Sequence, residues 1–104
     1  MNRKYRKTVI AGNWKMNMTA SEIKPFMEQL KEAMPKTRAC DVVLCTPAVM
    51  IPAMIKAGKE AKVAAGGQDV SKYEKGAYTG EVSATQLADI GAKYCIVEIG
   101  RAHV

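Results

Sequence analysis

Residues 8–17 read Thr8-Val9-Ile10-Ala11-Gly12-Asn13-Trp14-Lys15-Met16-Asn17. Thr8 to Asn13 is a short, β-branched, largely apolar run and reads as a strand. Its exit is unusual, because an amide and an ammonium stand two residues apart at the strand's carboxyl end. Continued at period two, Val9, Ala11, Asn13 and Lys15 line one face, and Ile10, Gly12 and Trp14 line the other. Parallel α/β folds bind ligands at that rim. An ammonium there can pair with a phosphate or a developing enolate oxygen, and the neighbouring amide can help hold it in place. The plainer reading is a lysine snorkelling at the end of a strand.

Outward from this stretch, strand-like runs alternate with helical patterns, which implies βαβ units and a parallel sheet. Asp41–Cys45, Lys62–Gly66 and Lys93–Val97 are the further expected strands. Between the first two strands, Ile23, Phe26, Met27, Leu30 and Met34 recur at helical spacing, and Thr19 with Glu22 forms a capping box. Pro25 conflicts with a helix begun at Thr19, since its ring meets the carbonyl four residues back, so the regular helix is expected nearer Lys24. A second helix is expected over Met50–Ala57, ended by Gly58. A third is expected over Ala84–Ile90, capped by Ser83 with Gln86 and ended by Gly91. Right-handed crossovers put all three helices on one face of the sheet and leave the other needing a partner.

At 104 residues the chain is one domain at most, with 48% hydrophobic and 25% charged residues, so its composition is that of a globular protein. Its apolar runs fall short of the ~20 residues a membrane span needs, and Met1–Lys7 lacks a secretory apolar stretch, so a cytoplasmic location is expected. Cys40, Cys45 and Cys95 have no CxxC spacing, and the single histidine, His103, is far from such a pair. No metal site and no disulfide is expected, and the cysteines read as small core residues. The net charge is +6, with Arg3, Lys4, Arg6 and Lys7 clustered at the start. A solvated arm explains that cluster better than a nucleic-acid patch, since Tyr5 is the only aromatic interleaved with it.

The segment AGNWKMN resembles the first-strand motif of the triosephosphate isomerases. The resemblance continues in family order through VVLCTP, GGQDV, GAYTGEVS and GAKYCIV, over about residues 8–97. It implies an α/β fold, the incomplete N-terminal portion of a TIM (β/α)8 barrel, strand–helix alternating from the first strand to the fourth. It also implies a cofactor-free isomerase of glycolysis and gluconeogenesis that interconverts dihydroxyacetone phosphate and D-glyceraldehyde 3-phosphate by proton transfer. Carried over, Asn13 and Lys15 are the substrate-binding pair, with Lys15 the catalytic electrostatic stabiliser, and Gln68 lies beside them. Thr79 and Glu81 fall on the loop that contacts the second subunit of a homodimer. Gln68 with Asp69 also reads simply as a turn cap, and Gly76 and Gly80 as loop-shaping glycines.

The resemblance breaks at the end of the chain. Residues 1–97 read as a partial barrel domain and residues 98–104 (Glu-Ile-Gly-Arg-Ala-His-Val) as an atypical tail. One reading of that tail is read-through of a sequencing-library adapter, which the codons around position 98 would decide. Ile99 stands where the family carries its electrophilic histidine, and His103 falls four residues late. The family's glutamate base belongs to a later strand. That glutamate with a neutral histidine is established for these enzymes, not deduced from this sequence. The polypeptide by itself is therefore expected to be inactive. The alternatives are a non-catalytic half-barrel that self-associates through its open face and edges, and a nucleic-acid binder acting through the basic arm.

Overall fold

The structure, a computed structural model, describes residues 7–35 and 40–97. Four parallel strands, β1 (Thr8–Asn13), β2 (Cys40–Thr46), β3 (Ala64–Gly67) and β4 (Tyr94–Cys95), lie side by side in chain order. Asn13 is level with Cys45, Cys45 with Gly66, and Gly66 with Tyr94, so the carboxyl ends of the strands converge. Helices α1 (Ala20–Ala33), α2 (Ile51–Ala61) and α3 (Ala84–Asp89) connect them, with a 3-10 turn at Ala48–Met50 before α2. The order is the one expected.

The core lies between helices and sheet. Ile23 and Met27 of α1 meet Ile51 and Met54 of α2, and Val63, Ala65 and Leu87 complete the buried cluster. Trp14 packs edge-to-face on Phe26 with centroids 5.3 Å apart, which fixes the helix-facing side of β1's exit. Gly12 belongs to the same side, where a Cβ would stand 2.9 Å from the Leu44 side chain. Ile10 shares that side by period, yet it is 56% exposed. Val9, on the opposite face, is also open, whereas Val43 and Cys45 of β2 are buried. Exposed apolar side chains thus lie on both faces of the edge strand β1. Of the three cysteines expected in the core, all are free, with Cys45 buried and Cys40 and Cys95 half-buried.

Several boundaries differ from expectation. Helix α1 starts at Ala20 and runs through Pro25. Glu22 secures its first turn by accepting from the Thr19 N–H at 2.9 Å and the Thr19 hydroxyl at 3.0 Å. The carbonyl that Pro25 leaves without a donor is that of Ser21, on the exposed face where water reaches it. Helix α2 passes Gly58 and ends at Ala61. The Val63 N–H reaches the Gly58 carbonyl at 2.9 Å and the Lys62 N–H reaches the Lys59 carbonyl at 3.2 Å, a Schellman cap with Lys62 at φ 57° in the left-handed place glycine usually takes. That cap consumes Lys62 and Val63, so β3 begins at Ala64 and not at Lys62. Strand β4 is Tyr94–Cys95, although the ladder bonds flanking it run from the Lys93 N–H to the Ile96 N–H. Helix α3 is capped as expected: Ser83 Oγ accepts from the Gln86 N–H at 3.1 Å, and Gln86 Oε1 accepts from the Ser83 N–H at 2.9 Å. Residues 98–104, with Ile99 and His103, lie outside the described residues.

Candidate functional site

The carboxyl end of β1 is tied to its neighbours before the chain turns into α1. The Trp14 N–H donates to the Cys45 carbonyl at 3.0 Å, extending the β1–β2 ladder one residue past Asn13. The strand periodicity then breaks. Lys15 sits at φ 57°, so it does not continue the row of Val9, Ala11 and Asn13 as an extended residue. The two site residues are linked in another way, since Asn13 Oδ1 accepts the Lys15 backbone N–H at 3.0 Å. Because that oxygen is engaged, the amide hydrogens of Asn13 point away from it and can serve a ligand. Asn17 Nδ2 donates to the Trp14 carbonyl at 2.9 Å, and Met18 takes a second left-handed conformation at φ 73°. Asn13 and Lys15 are both exposed. Among the described residues no carboxylate forms an ion pair with the Lys15 ammonium.

Gln68, the residue after β3, reaches across to this turn. Its Nε2 donates to the Lys15 carbonyl and to the Cys45 carbonyl, both at 3.0 Å. One amide therefore joins the ends of β1, β2 and β3. The sequence suggested only nearness to the site or a turn cap, and the pattern carried no sign of the double bond. The Cys45 thiol beneath is pushed above the ordinary thiol range by burial and then by Cys95; burial also raises Cys95, with Asp69 adding to it.

Thr79 and Glu81 lie on the exposed loop between β3 and α3. The Ser71 N–H closes the loop's base on the Val82 carbonyl at 2.8 Å, and the Glu81 N–H meets the Tyr78 carbonyl at 3.0 Å. Tyr73 and Tyr78 stack with centroids 4.2 Å apart. Gly76 (φ 135°) and Gly80 (φ 87°) take backbone conformations that other residues rarely adopt, as loop-shaping glycines do. Among the described residues no hydrogen bond joins Thr79 or Glu81 to Asn13 or Lys15, so the chain does not gather all four into one site. No group of three metal-ligating side chains occurs among the described residues, and no described helix is long and apolar enough to cross a membrane.

A curled parallel sheet with helices on its outer side, and an asparagine–lysine turn at the carboxyl rim of its first strand, defines an α/β protein of the barrel type with polar groups gathered at that rim. The model of the family Triosephosphate isomerase matches residues 8–99. Triosephosphate isomerases from two strains of Bacteroides fragilis are each 42% identical over 93 residues, covering 88% of this chain and 37% of theirs. The crystal structure of triosephosphate isomerase from Bartonella henselae superposes with a TM-score of 0.74 at 27% identity, over 91% of this chain and 39% of that one. The chain belongs to the triosephosphate isomerase family, and it spans well under half the length of these relatives.

Proposed function

We propose that this chain supplies the substrate anchor of a triosephosphate isomerase: Lys15 pairs with the phosphate and the developing enediolate oxygen, and the Asn13 amide donates beside it. The observation that carries the reading is the Asn13–Lys15 hydrogen bond at the carboxyl end of β1, in a chain matching the family from residue 8 to residue 99. An ammonium without a carboxylate partner among the described residues is available to an anion, and a turn held by its neighbours keeps that charge where the anion arrives. The reaction would be the family's proton transfer between dihydroxyacetone phosphate and D-glyceraldehyde 3-phosphate, a cytoplasmic step of glycolysis and gluconeogenesis. Thr79 and Glu81 would meet a second subunit, as their place on a braced, exposed loop supports.

The polypeptide of 104 residues assayed alone is expected to give no turnover, because isoleucine stands at position 99, where the family carries its histidine. Each general acid or base contributes about 10²–10⁴-fold. In a coupled assay, purified chain and Lys15→Ala show the same background, and turnover above that control refutes the inactivity. Titration with dihydroxyacetone phosphate tests the anchor separately: shifts at Asn13 and Lys15 that vanish in Lys15→Ala are expected, and binding unchanged in that variant refutes it. The exposed edge strand favours a second reading, a half-barrel that self-associates without catalysis.

A further inference from the structure

We propose that Gln68 is the positioning residue for the Lys15 ammonium, clamping the Lys15 peptide in its left-handed conformation by tying the Lys15 carbonyl to the Cys45 carbonyl. The inference rests on the reading of Lys15 as the phosphate anchor. A lysine at φ 57° holds a conformation that L side chains disfavour, and such a residue persists only where its surroundings over-determine it. The peptide groups on both sides of the Lys15 α-carbon are held here. Asn13 takes the Lys15 N–H at 3.0 Å, but that bond spans only two residues and sits in the open. The carbonyl is held by Gln68, 53 residues away in sequence.

The chemistry of the clamp is specific to an amide nitrogen. Its two hydrogens serve two carbonyls, one in the turn after β1 and one on β2, at 3.0 Å each, so the group cannot rotate without losing one of them. Turned over, it would set Oε1 against two carbonyl oxygens. Gln68 follows β3 directly, and the pairing of Cys45 with Gly66 and Thr46 with Gly67 brings it level with the end of β2. The sheet's own register therefore delivers the donor, and the direction in which the Lys15 side chain leaves the rim follows from it.

The test uses the whole isotopically labelled chain, with dihydroxyacetone phosphate as the probe. In Gln68→Met, of similar shape but without donors, the Cα shift and the amide coupling of Lys15 should leave their left-handed values. Affinity for the probe should fall about tenfold, the loss of roughly one net hydrogen bond's contribution. The urea midpoint, read in parallel, separates positioning from general destabilisation. Unchanged Lys15 torsion and affinity in a folded Gln68→Met overturn the proposal. If that variant does not fold, the wild-type chain decides: through-bond couplings from Gln68 Nε2 to the Lys15 and Cys45 carbonyls support the clamp, and their absence overturns it. Failure of the anchor reading shows separately, as probe binding that survives Lys15→Ala while the Lys15 torsion still depends on Gln68.

Discussion

Cys45 carries a consequence of the site's construction that pH exposes. Its carbonyl receives both Trp14 and Gln68, and its thiol is buried beneath them, with Gly66 leaving the room it needs: a Cβ there would stand 2.9 Å from Sγ. Burial favours the neutral thiol, so its folded pKa lies above the ordinary unfolded value of about 8.5. A group raised in this way contributes its full stability below the unfolded value and loses it as pH climbs towards the folded one. The urea midpoint should therefore fall between pH 8 and pH 10, and the fall should shrink in Cys45→Ala. The Lys7–Asp41 pair, 2.9 Å apart, raises the Lys7 pKa from 10.5 through its hydrogen bond and charge, so what it contributes is lost only above that value and leaves this range to the thiol. A midpoint flat across this range would show that the thiol is not desolvated. At this scale the sequence singled out Asn13 and Lys15, which the structure links, but misjudged the backbone between them. Period two is a property of extended chain, and nothing in the letters marks a lysine held left-handed by a glutamine half a chain away.

Elements were legible in their order and less so at their ends, for reasons visible at α1 and α2. Order comes from hydrophobic periodicity, which Ile23, Phe26, Met27, Leu30 and Met34 display without ambiguity. Ends depend on local geometry that a residue type does not determine. Gly58 looked like a helix terminus, yet its value is the missing side chain: a Cβ would stand 2.5 Å from the Val63 carbonyl oxygen, the very segment that folds back to cap α2. Two effects oppose each other in Gly58→Ala. Helix propensity favours alanine by about 1 kcal/mol, whereas overpacking against backbone costs about 1–3 kcal/mol. The clash involves main chain that cannot swing away, so net destabilisation is expected in urea unfolding, and a stabilised variant would show that the cap yields. Pro25 gives the opposite sign. Its ring occupies an exposed position inside α1, and a helix-interior proline costs about 3 kcal/mol. Pro25→Ala should stabilise the chain, by less than that figure because alanine also loosens the unfolded state. A lower midpoint in that variant would mean the proline shapes the helix's docking.

The whole molecule is a slab of 44 × 42 × 22 Å with a radius of gyration of 14.9 Å, where a compact chain of this length has about 13 Å. A slab exposes what a closed barrel hides. Val9 is 42% and Ile10 is 56% exposed, on opposite faces of a strand that has β2 on one side only. Backbone donors and acceptors on such an edge, flanked by apolar side chains, template pairing with another chain. Two candidate surfaces for contact between copies are this edge and the loop that carries Thr79, and they predict different behaviour. Pairing of the β1 edge with the β4 edge of another copy is open-ended, because each added copy presents a fresh strand, so mass should keep rising with concentration in light scattering. An isologous contact through the Thr79 loop would close at a dimer. Ile10→Lys places a charge on the edge and should cut the open-ended growth without altering the far-ultraviolet circular dichroism. Thr79→Arg should leave that growth unchanged. Should Thr79→Arg abolish association while Ile10→Lys does nothing, the loop governs and the edge is silent. A chain that stays monomeric across the whole concentration range would remove both surfaces from the account.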